Sequence, residues 1–179
     1  MARPQIWKFT YYIIIISLVV LSSEIRAHLM PAQTGTLNFA NGGAFLALST
    51  SASRFLAADD DDDGQLSPEE LARHLKSIKQ TIHQNVQLLN EADETLALRG
   101  LLISPVHTDE QTKDKINQIL ILGRYPMSGE IGSMGLRVTL LGQGAEENTI
   151  TVMVTRGAMS QKIIFSPDNE YHPLFPQTP

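Results

Sequence analysis

The spacing of apolar residues changes along the chain, and each spacing predicts a different kind of element. Two apolar runs within residues 35–49 flank Asn41-Gly42-Gly43, a sequence typical of a β-hairpin. Alternating or continuous apolar positions, which are typical of strands buried on one or both faces, follow further along the chain. They predict strands at 118–125, 136–142, 149–156 and 160–166.

A helical spacing separates the first hairpin from these strands. Six apolar residues recur at intervals of three or four positions: Leu71, Leu75, Ile78, Ile82, Val86 and Leu89. This stripe predicts one long amphipathic helix of about 20 residues. Residues 95–104 are either another strand pair or the end of that helix.

Together these elements predict an α+β fold: a small antiparallel β-sandwich with an inserted helix–loop–helix and one long amphipathic helix. Residues 28–50 would form the first hairpin of the sandwich. Residues 51–90 would be the insertion between the second and third strands, and residues 91–179 the remainder of the sandwich. The tail, 172–179, is expected to be loose.

The first 27 residues have the pattern of a secretory signal peptide. Arg3 and Lys8 precede the 13-residue stretch 11–23, which is mostly apolar, and Ala27 offers a small residue before a cleavage site. A membrane-spanning helix needs roughly 20 apolar residues. We therefore expect cleavage after Ala27 and a secreted or periplasmic protein, with retention as a short anchor or cleavage elsewhere as the alternatives.

Charge and cysteine content exclude several kinds of chemistry. The chain has a net charge of −5, and residues 1–27 contribute +2, so the remainder carries −7. Residues 59–70, here called the acidic loop, hold seven carboxylates, so the rest of the mature chain is neutral overall. No basic stripe is present to bind nucleic acid. The absence of cysteine excludes disulfides and thiolate metal sites.

The acidic loop reads DDDDDGQLSPEE, and its carboxylates follow a regular spacing. Counted from Asp59, oxygen-bearing residues stand at positions 1, 3, 5, 7, 9 and 12, with glycine at position 6, as a calcium-binding loop requires. These residues are Asp59, Asp61, Asp63, Gln65, Ser67 and Glu70, with Gly64 at the sharp turn. Asp60, Asp62 and Glu69 are expected to point outward. A simple solvated acidic connector is the alternative.

The residues around the loop also fit a helix–loop–helix. Ser67 and Pro68 favour a helix start, and Glu70 completes a capping box with Ser67. Leu66 is expected to form a short strand against the core. Phe55, four residues before the loop, would face the core from a short entering helix.

These features resemble the EF-hand calcium-binding family over residues 51–80. The resemblance implies that calcium is held by Asp59, Asp61, Asp63, the backbone of Gln65, Ser67 through a water, and Glu70. EF-hands usually occur in pairs, but residues 108–115 and 166–170 lack the glycine and the spacing of a second loop. The lone loop would therefore act within one chain or pair with its copy in a homodimer.

The segment from Ala27 to the first hairpin is similar to extracytoplasmic β-domains that accompany hydrogenase- and urease-accessory metal permeases. An amino-terminal His28, with His107 or His172, would offer nitrogen ligands to copper. An ordinary exposed terminus is the alternative. His74 and His83 lie nine residues apart on the predicted helix, so they are expected to be surface residues rather than ligands of one ion.

No sequence motif of an enzyme active site occurs in the chain, so we expect no enzymatic activity. The sequence favours a secreted or periplasmic calcium-binding protein in which calcium orders a single EF-hand loop for a structural or sensory role. The alternative is an accessory domain that presents a transition metal or assists a membrane metal transporter. A third hypothesis is an interaction module, bound to an envelope protein, in which the loop is only a connector.

Overall fold

The computed structural model describes residues 30–106, 114–127 and 132–176, which form a mixed α and β fold that is mainly β. Its strands are β1 (Thr34–Ala40), β2 (Gly43–Ser51), β3 (Val86–Leu89), β4 (Arg99–Val106), β5 (Gln118–Pro126), β6 (Met134–Val138), β7 (Ile150–Arg156), β8 (Met159–Phe165) and β9 (Tyr171–Leu174). Two α-helices, α1 (Pro68–Arg73) and α2 (Leu75–Asn85), follow a 3-10 helix at Ala52–Ala58. A second 3-10 turn spans Ala145–Glu147.

The strands form two sheets. One has six strands in the order β4-β5-β2-β1-β7-β8, and the other has three in the order β3-β6-β9. The first hairpin, β1–β2, is confirmed: Ala40 pairs with Gly43 across a two-residue turn. Both turn residues, Asn41 and Gly42, have positive φ angles of 48° and 72°. This conformation matches the twist of the flanking strands, and asparagine and glycine tolerate it best.

The predicted all-antiparallel pairing is wrong at one point, because β1 and β7 are parallel. Thr34 pairs with Thr151 and Phe39 with Arg156. A parallel pair needs a long crossover, and here the crossover contains β2 to β6. Alternation along a strand indicates which face is buried, but it carries no information on the direction of the neighbouring strand.

The predicted long helix is also wrong, because the apolar stripe does not continue as one helix. His74 (φ −97°, ψ 12°) separates α1 from α2, and α2 ends at Asn85. Val86 and Leu89 instead belong to β3, where Val86 pairs with Val138 of β6. A β-branched valine followed by alternating burial suits a strand, and pairing with the distant β6 outweighs the helical spacing.

The carboxyl-terminal segment is not loose over the part that the structure describes. His172 to Leu174 lie in β9, which pairs with β6, and Leu174 is buried. Residues 177–179 lie outside the described residues. Residues 95–104 were predicted to be either a strand pair or the end of the long helix. The structure shows a single strand there, β4, which begins at Arg99.

One hydrophobic cluster contains residues of both sheets and of the helices. The phenol of Tyr125 in β5 is fully buried and donates a hydrogen bond of 3.0 Å to the carbonyl of Val86 in β3. Burial raises the pKa of Tyr125, so the phenol remains a neutral donor. Ile78 and Ile82 bury the inner face of α2 in the same cluster. None of the helices in the described ranges is long and apolar enough to cross a membrane.

Candidate metal centre

The acidic loop joins the 3-10 helix after β2 to the start of α1. Phe55 is 3% exposed and anchors the 3-10 helix in the core, as predicted. The loop begins where the Asp59 N–H donates to the carbonyl of Leu56. Its last residues enter α1, which is capped by Ser67: the Ser67 hydroxyl accepts from the Glu70 N–H. The loop is thus attached to ordered elements on both sides.

Three aspartates converge at the beginning of the acidic loop. One carboxylate oxygen each from Asp59, Asp61 and Asp63 lie within 4.8 Å of one another. The chain turns through Asp62 and Gly64, which have φ angles of 57° and 77°. Because alternate side chains of this turn project to one side, like charges accumulate there.

Backbone hydrogen bonds hold each of the three carboxylates in place. The Gly64 N–H donates to Oδ2 of Asp59 at 2.8 Å. The Asp63 N–H donates to Oδ1 of Asp61 at 3.3 Å, and the Gln65 N–H donates to Oδ1 of Asp63 at 2.8 Å. Short aspartate side chains reach these N–H groups within a tight turn. The cluster is therefore oriented by the loop itself.

The second carboxylate oxygen of Asp59 is buried and has no hydrogen-bond partner among the described residues. A buried polar atom without a partner is rare in folded proteins, and it typically costs about 1–3 kcal/mol. Because this oxygen, Oδ1, belongs to the clustered carboxylates, a bound cation would satisfy it. The donor set therefore fits a metal ion.

The clustering also changes the protonation of Asp61. The hydrogen bond from the Asp63 N–H lowers the pKa of Asp61. Desolvation, the charges of Asp63 and Glu70, and the contact with Asp59 outweigh it and raise that pKa above the ordinary value of 3.8. Like charges in close proximity favour the protonated form in this way.

Glu70 occupies the interior of the loop, at 6% exposure, but its oxygens face the backbone. Its Oε1 accepts from the Asp60 N–H at 2.8 Å. Its Oε2 accepts from the Ser67 N–H at 2.9 Å and from the Ser67 hydroxyl at 2.8 Å. The Ser67 N–H, the Asp60 N–H and the Ser67 hydroxyl all lower the pKa of Glu70. Glu70 thus links the two ends of the loop.

The structure brings Asp59, Asp61 and Asp63 together as a group that could hold an ion. Glu70 lies outside this group, and the Ser67 hydroxyl is engaged with Glu70. The Gln65 N–H donates to the Asp63 carboxylate, so the Gln65 backbone lies beside the cluster.

A set of ion pairs between the loop and the end of α1, here called the Asp60 clamp, was not predicted from the sequence. The carboxylate of Asp60 pairs with Arg73 and, at 2.8 Å, with Nε2 of His74. The contacts with His74 and then Arg73 lower the pKa of Asp60. Asp60 is therefore not a free outward charge, and His74 is not a simple surface residue. No local pattern in the sequence indicates this contact, because Arg73 and His74 lie 13 and 14 residues after Asp60.

Leu66 connects the loop to the large sheet. It is fully buried and forms an isolated antiparallel bridge with Ile116, whose N–H donates to the Leu66 carbonyl at 2.8 Å. Asn117 follows and accepts from the Ala52 N–H before β5 begins. The strand contact expected of Leu66 is therefore present, and its partner comes from the same chain.

A groove of about 220 Å³ lies between residues 64–66 of the loop and the start of the 3-10 helix. Glu147 lines it and accepts hydrogen bonds from the hydroxyls of Ser51 and Ser53. Burial raises the pKa of Glu147, but these hydrogen bonds, with those from the Gly144 and Gln143 backbone, lower it below its ordinary value. Glu147 thus holds the segment before β7 against the end of β2.

Of the three histidines considered as copper ligands, the structure describes only His172. His28 and His107 lie outside the described residues. The ring of His172 packs at 5.1 Å, edge to face, on Phe165, and its Nε2 contacts the Ile164 carbonyl at 3.2 Å. His83 is exposed on α2.

A comparison with protein-family models and with curated proteins found no match for this chain.

Proposed function

We propose that the acidic loop binds one calcium ion. The observation that carries this proposal is the buried, unpartnered Oδ1 of Asp59 within a cluster of three aspartate carboxylates. The ligands would be Asp59, Asp61, Asp63, the Gln65 carbonyl, Ser67 through a water, and Glu70. Together with the 3-10 helix and α1, the loop would be an EF-hand-like helix–loop–helix inserted in a β-sandwich of the two sheets.

The donor chemistry favours calcium over other ions. Every proposed ligand is an oxygen, which suits the hard ions calcium and magnesium better than copper, nickel or zinc. Magnesium requires near-ideal octahedral geometry, whereas calcium accepts six to eight oxygens in a flexible loop. A short loop with several carboxylates and a backbone carbonyl fits calcium better.

The attachments of the loop support a structural or sensory role rather than simple calcium storage. The loop is joined to α1 through Glu70 and Asp60. Leu66 joins it to Ile116, in the segment that precedes β5. A cation that neutralises the aspartates would stabilise these attachments together. We further propose that the protein acts outside the cytoplasm after removal of residues 1–27, where extracellular calcium modules typically bind with Kd of about 10⁻⁴–10⁻³ M.

Calorimetric titration of chelator-stripped protein with calcium, combined with thermal unfolding, tests the proposal. We expect saturable one-to-one binding and a higher melting temperature with calcium. Asp61→Asn removes a proposed ligand, whereas Asp62→Asn removes the same charge from the adjacent exposed residue. The Asp61 variant should lose at least tenfold in affinity, and the Asp62 variant should change much less.

Equal losses in these two variants would show that the loop attracts calcium only by its overall charge. No binding at millimolar calcium would leave the acidic loop as a connector between the sheet and α1.

A further inference from the structure

The face of the large sheet that points away from the core carries a band of exposed apolar side chains, which is interrupted at β1, where the outward residues are Thr34, Thr36 and Asn38. The pairing register places one residue of each strand in a single row, in the order Leu102, Leu122, Ala47, Thr36, Met153 and Lys162. We call this face the outer face. Its row begins with apolar residues on β4 and β5 and ends with a lysine on β8.

Large apolar side chains on this face are exposed to solvent. Leu102 is 56% exposed, Ile164 49%, Phe45 42% and Met153 37%. They lie on four different strands, from one edge of the sheet to the other. Exposed apolar side chains concentrated on one face in this way mark an interaction site more often than singly scattered residues do.

The charges on the outer face have a single sign. None of the six strands contains an aspartate or a glutamate. Arg99 and Arg124 are cross-strand neighbours at one corner, and Lys162 lies at the opposite edge. The guanidinium of Arg124 lies 5.3 Å above the Phe45 ring, so a cation accompanies an apolar group there. A complementary partner would therefore be both apolar and anionic.

The width of the band decides between kinds of partner. Leu102 and Ile164 are separated by five strand spacings, which is about 24 Å. A single helix is about 10–12 Å wide with its side chains, so a helix laid along the strands would cover at most about half of this width. A second copy stacked face to face would pair apolar groups but would also bring the cations of both copies together, with no strand carboxylate to neutralise them.

We propose that the outer face docks on a lipid bilayer that contains anionic phospholipids. Phe45, Leu102, Met153 and Ile164 would enter the interfacial region, and Arg99, Arg124 and Lys162 would pair with lipid phosphates. The acidic loop would be repelled by the same surface, which favours docking through the outer face. This proposal does not depend on calcium binding.

The absence of cysteine allows a site-specific test in the full chain. Met153→Cys and, on the exposed side of α2, Gln84→Cys are each labelled with an environment-sensitive fluorophore. The labelled proteins are mixed in EDTA with vesicles of phosphatidylcholine, alone or with phosphatidylglycerol. We expect a blue shift at position 153 with the anionic vesicles only, and a much smaller response at position 84.

A charge-matched pair of variants tests the role of the cations. In the labelled Met153→Cys background, Arg124→Gln with Lys162→Gln should weaken vesicle binding about fivefold for each charge removed. Lys76→Gln with Lys79→Gln removes the same charge from α2 and should leave binding unchanged. All variants carry the same amino-terminal segment, so differences between them report the outer face.

Several results would overturn the proposal. One is an equal response to neutral vesicles, and another is an equal loss in the two charge-matched variants. A shift without vesicles that grows with protein concentration would assign the face to a second copy. A shift produced by poly-glutamate without vesicles would assign it to an acidic protein.

Discussion

The carboxylates of Asp59, Asp61 and Asp63 share one small volume, so their ionisation and their ability to bind a cation are linked. The pKa of Asp61 is raised, because desolvation and the neighbouring charges outweigh the hydrogen bond from the Asp63 N–H. Calcium requires the ionised form. Ion binding must therefore displace any proton that remains on Asp61.

This linkage predicts the pH dependence of calcium affinity. As the pH falls from neutral toward the raised pKa of Asp61, which lies above 3.8, affinity should decrease and proton release per calcium should increase. Calorimetry in two buffers of different ionisation enthalpy measures that release. The Asp62→Asn variant should retain the dependence. A proton release that does not change with pH would contradict the coupling of Asp61 to the ion.

A substitution at Gly64 tests whether the backbone conformation of the same turn matters for calcium binding. The φ angle of Gly64 is +77° and no atom lies within 4 Å of where a side-chain Cβ would stand, so an alanine would be strained but not crowded. Gly100 has the same two properties, with φ at +62°, but lies in β4. Gly64→Ala and Gly100→Ala should each destabilise the protein by about 1 kcal/mol. Only Gly64→Ala should also weaken calcium binding, as urea unfolding and calorimetry would show.

The sequence predicted the beginning of the acidic loop well because its geometry is local. Spacing alone indicated that Asp59, Asp61 and Asp63 would converge, and the structure places them together. The Asp60 clamp could not be inferred in this way, because Arg73 and His74 are 13 and 14 residues away. Its formation depends on the direction in which α1 leaves the loop.

At the scale of elements, Glu70 connects the start of α1 to the loop. The Ser67 N–H, the Asp60 N–H and the Ser67 hydroxyl lower the pKa of Glu70 relative to its ordinary value of 4.5. The stability that this carboxylate provides is therefore fully present above pH 4.5. It is lost as the pH falls through the lower, folded-state pKa.

We therefore expect Glu70→Gln to reduce the acid sensitivity of the calcium-free protein in that pH window. The variant should also be less stable near neutral pH, since an amide accepts fewer of the three hydrogen bonds. Chemical unfolding at several pH values in EDTA measures both effects. Glu69→Gln removes the same charge at the exposed neighbouring position and should preserve the dependence. Identical profiles for the two variants would contradict the linking role of Glu70.

Element boundaries depended on partners that are distant in the sequence. The helical spacing of Ile78, Ile82 and Val86 is continuous, yet the helix ends before Val86. Asn85 marks that end, because its carbonyl accepts from the Thr139 N–H and its side chain accepts from the Thr139 hydroxyl. These contacts come from residues more than 50 positions later, so local spacing could not reveal them. The burial of β9 against β6 was missed for the same reason.

At the scale of the whole molecule, the Leu66–Ile116 bridge determines how the acidic loop is supported. The sequence left open that the lone loop pairs with its copy in a second chain. In this structure the Leu66 carbonyl already accepts from the Ile116 N–H, and the Leu66 side chain is fully buried in the core of its own chain. The bridge is then continued by Asn117 into β5.

Support within the chain predicts that calcium binding does not require association of two copies. We expect calorimetry to give one calcium per chain. Sedimentation velocity over a range of protein concentrations in vesicle-free solution should give the same molecular mass with calcium and with EDTA. The Asp61→Asn variant provides the control, because it should have this mass under both conditions. A calcium-dependent dimer, or one ion for two chains, would mean that two loops meet across an interface and that the bridge to Ile116 opens.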